Sequence, residues 1–183
     1  MHTAAASGIG KIVNRLCISH GIPLLGVVRK PEQAEIMKKE GITDTVVTAG
    51  DWTPGFKELV EKKGYDCFFD ALGGGPVTEA VIQNMPVNSV FNIYGLLEGK
   101  PFTLSNTYLF FQGVQITGFF ITIWWGNATA ETQERVRKNY SNYLKNECSS
   151  ETFLTVCYTD IERGLEHART NPTKGKVLVQ IRK

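Results

Sequence analysis

Six short apolar stretches alternate along this chain with stretches of helical period, and the joints between them are brief. Leu24–Val28 holds no polar residue, as expected of a strand covered on both faces. Met1–Ala4 is the stub of a first strand; Thr45–Thr48, Tyr65–Ala71, Ser89–Tyr94 and Gln115–Ile123 supply strands three to six. The helices carry their own punctuation. Ile9–His20 stops at Gly21, and Pro31 opens a second helix that Gly41 ends. Pro54–Lys63 stops at Gly64, and Pro76 opens a fourth helix that Met85-Pro86 closes. Proline in a first turn forfeits no helical hydrogen bond, and glycine past a last turn reaches left-handed φ without strain. Asn106–Phe111 reads as a short helix, and Thr129 caps a long one to about Lys145. Strands separated by helices pair in parallel through right-handed crossovers. The pattern predicts an α/β fold, a doubly wound six-stranded parallel sheet with helices on both faces.

Periodicity also assigns inward faces: Ile9, Val13, Leu16 and Cys17 on the first helix; Phe56, Leu59 and Val60 on the third; Val77, Ala80 and Val81 on the fourth; Val136, Tyr140, Tyr143 and Leu144 on the long one. The character changes after Glu147-Cys148-Ser149-Ser150. Glu151–Tyr158, Asp160–Thr170 and Lys176–Arg182 read strand, helix, strand. The chain thus divides into a domain over residues 1–148 and a C-terminal segment over 149–183.

Composition narrows the function. An apolar share of 42% over 183 residues is ample for one core. A net charge of +2, with cations scattered among acids, implies no nucleic-acid or membrane partner. No stretch approaches the ~20 apolar residues of a membrane span. No basic start followed by an apolar run marks a secretory signal, so a cytoplasmic location is expected, or a mitochondrial one should a targeting segment precede Met1. The four cysteines (Cys17, Cys67, Cys148, Cys157) form no Cys-x-x-Cys pair and read as reduced core residues, and no metal site is expected. The three histidines (His2, His20, His167) read as surface or helix-end residues.

The joint between the first strand and helix, Thr3-Ala4-Ala5-Ala6-Ser7-Gly8-Ile9-Gly10, carries the chemistry. Small residues there let backbone approach a phosphate, and the helix N-terminus behind offers free N–H groups at its positive end. In open α/β sheets ligands bind beyond the carboxyl ends of the strands. There this turn should meet Arg29-Lys30 from strand two, Asp70-Ala71-Leu72-Gly73 from strand four and Tyr94-Gly95-Leu96 from strand five. A Rossmann site for NAD places an acid about 20 residues past the turn, to accept from the ribose 2′-hydroxyl. Here Arg29 and Lys30 stand at that distance. Either they are two solvated cations, or they accommodate a 2′-phosphate and select NADP(H); cations sit poorly beside the start of the following helix, which favours the second reading. Phe119-Phe120-Ile121-Thr122-Ile123-Trp124-Trp125 reads either as packing of the last strand or as a wall beside a nicotinamide.

Taken together, Thr3–Gly10, Phe69-Asp70-Ala71-Leu72-Gly73-Gly74, Tyr94-Gly95-Leu96, Gly118-Phe119-Phe120 with Trp124, and Thr173-Lys174-Gly175-Lys176-Val177 resemble the medium-chain dehydrogenase/reductase superfamily. The nearest branch is that of the zinc-independent quinone oxidoreductases and enoyl thioester reductases. The resemblance implies a Rossmann sheet of order 3-2-1-4-5-6 with a truncated first strand. It implies that Ala5, Ser7, Gly8, Ile9 and Gly10 hold the pyrophosphate and that Arg29 and Lys30 take the 2′-phosphate. Ala71, Leu72, Gly73, Tyr94, Gly95 and Leu96 line ribose and nicotinamide, and Phe119, Phe120 and Ile121 flank the carboxamide. It further implies a homodimer through the edge strand Gln115–Ile123, a small-molecule substrate, and a C-terminal segment that completes a catalytic domain. That domain's N-terminal part, with the proton-donating tyrosine of the enoyl reductases, has no counterpart here, and Ala4 and Ser7 stand where glycines are common. The chain reads as a cofactor domain that binds NADPH without completing a catalytic site.

Two rival classes fit less well. Short-chain dehydrogenases need Tyr-x-x-x-Lys, but Tyr94, Tyr140 and Tyr143 are followed four residues on by Glu98, Leu144 and Glu147. Methyltransferases want an acid where Arg29 stands. A nucleotide-binding or interaction module without catalysis remains the alternative.

Overall fold

The computed structural model describes residues 1–146, 152–171 and 174–181. Six strands form one parallel sheet: β1 (His2–Thr3), β2 (Leu25–Val28), β3 (Asp44–Val47), β4 (Cys67–Asp70), β5 (Val90–Ile93) and β6 (Gln115–Gly118). Their order is β3-β2-β1-β4-β5-β6, as expected, and β1 is the shortest strand as well as a central one. The helices are α1 (Gly8–Ser19), α2 (Pro31–Lys39), α3 (Thr53–Lys63), α4 (Gly75–Gln83), α5 (Asn106–Gln112), α6 (Ile121–Asn127) and α7 (Ala130–Asn146). Proline and glycine punctuation holds: Pro31 opens α2, and Gly64 closes α3 at φ +71°.

The core lies mainly between the sheet and α3–α4. Phe56 and Val60 of α3 and Val81 and Ile82 of α4 pack against Phe68 and Phe91. A second cluster under α2 joins Ala5, Ala6, Val28, Met37 and Ile42. Alternate residues of β4 face opposite ways, and Cys67 and Phe69 are exposed. The core reading of the cysteines therefore fails for Cys67 and for the exposed Cys157; Cys17 is half-buried. An apolar run declares a strand, but not whether a helix covers both of its faces.

Helix α1 turns a different side inward than its apolar period implies. Ile9 is 56% exposed, while Gly10 and Asn14 are buried. The Asn14 amide donates to the Ala5 carbonyl (3.2 Å) and the Glu40 carboxylate (2.9 Å), and Asn14 Oδ1 lies 2.9 Å from His2 Nε2. An amide so fully bonded is at home in a core, yet it reads as polar in any periodicity count. His2 is likewise buried, against the surface role expected of it. His20 does stand at the exposed end of α1, and His167 lies in the last turn of the helix Ile161–Thr170.

Strand six is shorter than Gln115–Ile123. It pairs with β5 from Val90↔Gln115 to Ile93↔Gly118, and a last bond runs from Phe119 N to the Ile93 carbonyl at 2.8 Å. Beyond that point β5 has left the sheet and offers no ladder, so the chain turns into α6. Thr129 caps α7 by accepting from Thr132 N at 3.2 Å. The apolar face assigned to α7 is not buried, with Tyr140 60% exposed. The side chain of Leu144 lies outside what is described.

The C-terminal segment forms its own two-stranded parallel sheet, β7 (Thr152–Cys157) and β8 (Lys176–Gln180), crossed by α8 (Ile161–Thr170). Gly164 brings α8 close: a Cβ there would lie 2.9 Å from Val156 Cγ2. The boundary at Cys148/Ser149, with Glu147, Ser150, Glu151, Thr173 and Arg182, lies outside the described residues.

Candidate functional site

The turn after β1 is built by backbone crossing backbone. Ser7 N donates to the Ala4 carbonyl (2.9 Å), and Ser7 Oγ caps α1 by accepting from Gly10 N at 3.0 Å. A Cβ on Gly10 would lie 2.3 Å from the Ala5 carbonyl oxygen, so only glycine lets helix and strand cross here. Ala4 holds φ +51°, a conformation usually left to glycine. The first helical bond runs from Lys11 N to the Ser7 carbonyl, which leaves the N–H groups of Gly8 and Ile9 at the exposed mouth of the turn.

Asp70 ties this turn to the next strand end. Its buried carboxylate accepts from Thr3 Oγ1 (2.6 Å), Thr78 Oγ1 (2.9 Å), Leu72 N (3.2 Å) and Gly73 N (2.8 Å). Thr3 Oγ1 in turn accepts from Ala71 N at 2.8 Å. Four donors satisfy a carboxylate buried among apolar neighbours. They also set the course of residues 71–73. That loop interlocks with the one after β5: a Cβ on Gly73 would lie 2.2 Å from the Gly95 carbonyl, and one on Gly95 would lie 2.6 Å from the Ala71 carbonyl. Burial and the nearby Asp70 carboxylate raise the Tyr94 hydroxyl above its usual pKa.

Two cavities open along the carboxyl edge of the sheet. The first, about 310 Å³, is lined by Ser7, Val28, Arg29, Gln33, Thr48 and Leu72 among others. Arg29 and Lys30 make no ion pair with a described residue. Lys30 is exposed and lies off the cavity wall. The second cavity, about 740 Å³, is apolar and holds Tyr94, Gly95, Leu96, Phe119, Phe120 and Trp124. Phe119 and Trp124 face each other with ring centroids 6.0 Å apart. Ile121 opens α6 and is exposed.

The predicted strand ends thus converge. Ser7, Arg29 and Leu72 share one cavity; Tyr94, Gly95, Leu96, Phe119 and Phe120 share the other. Ala5 lies in the turn after β1, Gly8, Ile9 and Gly10 form the first turn of α1, and Ala71 and Gly73 lie in the loop after β4. Sequence reasoning missed three contributors. Gln33 Oε1 accepts from Arg29 N (2.9 Å) and Lys30 N (3.1 Å), a capping arrangement that a glutamine at the third helical position signals. Glu98 lines the first cavity from the β5 loop. Lys176 of β8 brings its ammonium within 3.5 Å of where a Cβ on Gly8 would stand. It comes from the other end of the chain, in the stretch Thr173–Val177 that carries part of the resemblance but to which sequence reasoning gives no place at this site.

Among the described residues no group of three or more His, Cys, Asp or Glu side chains could hold a metal, and no helix is long and apolar enough to cross a membrane. Residues 8–138 match the family described as zinc-binding dehydrogenase. The chain is 24% identical over 141 residues to a mitochondrial enoyl-[acyl-carrier-protein] reductase of Dictyostelium discoideum, covering 74% of this chain and 40% of that protein. Its fold matches a protein assigned as an NADPH:quinone reductase from Mesorhizobium loti, with TM-score 0.88, 23% identity, and coverage of 98% of this chain and 52% of that one. It also matches the Etr1p complex with NADP and crotonyl-CoA, from an enoyl thioester reductase of Candida tropicalis, with TM-score 0.76, 16% identity, and coverage of 98% and 53%. The chain therefore spans about half the length of the proteins it resembles. With the match over residues 8–138, the glycine turn and the sheet order in agreement, the chain belongs to the zinc-binding dehydrogenase family.

Proposed function

We propose that this chain is the NADPH-binding domain of a zinc-independent oxidoreductase that transfers hydride from NADPH to a quinone, an enone or an enoyl thioester. The observation that carries the reading is the first cavity. It runs from the turn after β1, at Ala4, Ala6 and Ser7, to a strand-two end that presents Arg29 rather than an acid. The fit to such a cofactor rests on this chain's own residues. The N–H groups of Gly8 and Ile9, the helix dipole of α1 and the Lys176 ammonium suit a pyrophosphate. Arg29, free of ion pairs with described residues, suits a 2′-phosphate through charge-assisted hydrogen bonds.

When bound, the cofactor supplies the hydride, and the protein supplies position and environment. The interlocked loops after β4 and β5 would hold Leu72 and Gly95 firmly against the cofactor. Tyr94, Phe119, Phe120 and Trp124 line an apolar cavity that would exclude water and suit an uncharged acceptor. In this reading the opposite wall comes from the additional chain that the relatives carry. Two copies would pair along the open edge of β6, over Gln115–Gly118 rather than the longer segment first expected.

The test is titration of NADPH and NADH against the chain, read by nucleotide fluorescence and thermal shift. NADPH is expected to bind more tightly and to raise the melting temperature. No shift with either nucleotide overturns the reading. Light scattering reports the dimer independently.

A further inference from the structure

Gln33 is the third residue of α2 and lines the first cavity beside Arg29. Both lone pairs of its Oε1 are occupied, by Arg29 N at 2.9 Å and Lys30 N at 3.1 Å, and its own backbone N–H donates to the Lys30 carbonyl at 3.0 Å. These bonds fix which end of the amide is oxygen. What remains is Nε2, a pure donor, which makes no hydrogen bond to a described residue. Arg29, Gln33 and Thr48, each with a side chain able to donate, line the strand-two end of the cavity.

A glutamate would hold the same joint at least as well. It is the favoured residue at this helical position, it suits the positive end of α2, and Arg29 and Lys30 would attract it. The property that a glutamate changes for the worse is the charge at the cavity wall. A carboxylate there would accept from a ribose 2′-hydroxyl, the arrangement that selects NAD, and would repel a 2′-phosphate. We propose that Gln33 is the specificity residue for the phosphorylated ribose: its oxygen clamps the β2–α2 joint so that Arg29 faces the cavity, and its nitrogen keeps that wall free of negative charge. The proposal rests on the NADPH reading above.

Three proteins decide it, each as the full chain: wild type, Gln33→Glu and Gln33→Ala. Dissociation constants for NADPH and NADH are measured by nucleotide fluorescence, and melting temperatures without nucleotide. In Gln33→Glu the preference for NADPH over NADH is expected to fall about tenfold, mostly through weaker NADPH binding, the size of one lost favourable charge contact. Its melting temperature is expected to match or exceed wild type. A role confined to holding the joint would instead leave the ratio unchanged. An unchanged ratio, or equal weakening of both nucleotides, overturns the proposal. Gln33→Ala removes the clamp without adding charge. It is expected to weaken NADPH several-fold with NADH unaffected, and equal losses overturn the proposal even if Gln33→Glu fails to fold. A wild type that binds neither nucleotide overturns the NADPH reading itself. A wild type that prefers NADPH, with variants that keep its preference, overturns only the role of Gln33.

Discussion

The two ends of the carboxyl-edge cleft are made differently. At the glycine-turn end, Gly10 meets the Ala5 carbonyl, Ala5 and Ala6 are buried, and Asn14 and Asp70 are bonded on every side. At the aromatic end, Phe119, Phe120, Ile121 and Ile123 are exposed, and no residue of α6 is buried. The first end is over-determined by short-range sterics and buried hydrogen bonds. The second is an apolar surface whose shape depends on what is brought against it. A site that must grip an invariant group and admit a variable one can divide its labour in this way.

Four measurements sharpen or break the contrast. Gly10→Ala forces a Cβ into the Ala5 carbonyl and should destabilise the chain by about 3 kcal/mol or more by urea denaturation. A loss below about 1 kcal/mol would mean the crossing is soft.

Acid should act on the same end. Burial holds the His2 pKa down to about 4 in the folded chain, whereas the unfolded chain takes up that proton near 6.5. The contribution of His2 is therefore fully present above pH 6.5 and is lost as pH falls toward 4. It amounts to about 3 kcal/mol, and His2→Gln should flatten that part of the stability profile.

Ala4→Gly tests the strain at φ +51°. Relief of a left-handed alanine should stabilise by about 1 kcal/mol, measured as a higher melting temperature. No change would place Ala4 in an unstrained conformation.

The smallest effect belongs to the aromatic end. Phe120→Ala, at a side chain 63% exposed, should shift stability by no more than about 0.5 kcal/mol. A larger loss would show that the aromatic wall is part of the folded core after all.

The same contrast divides what was legible in the sequence. The strand order follows from the family resemblance; the parallel sheet, the turn and the convergence of Arg29, Leu72 and Gly95 follow from alternation and from where α/β sheets bind ligands. These rest on local punctuation, which short stretches carry in full. The burial of Asn14 and of His2 is not legible, because a polar side chain satisfied by partners along the chain carries no mark of burial. The extent of β6 was overread because a strand ends where its neighbour does, and β5 stops at Ile93. Lys176 reaches Gly8 across more than 160 positions of chain, a distance at which only the fold brings residues together.

The two-residue β1 has a consequence for how the protein moves. It pairs with β2 at His2↔Gly26 and Thr3↔Val27, and with β4 only at His2↔Phe69. By contrast β2–β3, β4–β5 and β5–β6 each pair over four positions. The sheet is thus two cooperative blocks joined by a narrow seam, which the Thr3–Asp70 bond reinforces. Native-state hydrogen exchange should report two opening units rather than one, with β2 and β3 separating from β4 to β6 below the global unfolding free energy. The seam runs beneath the glycine turn, so a ligand that bridges the turn and the loop after β4 would fuse the two units and slow exchange on both sides at once.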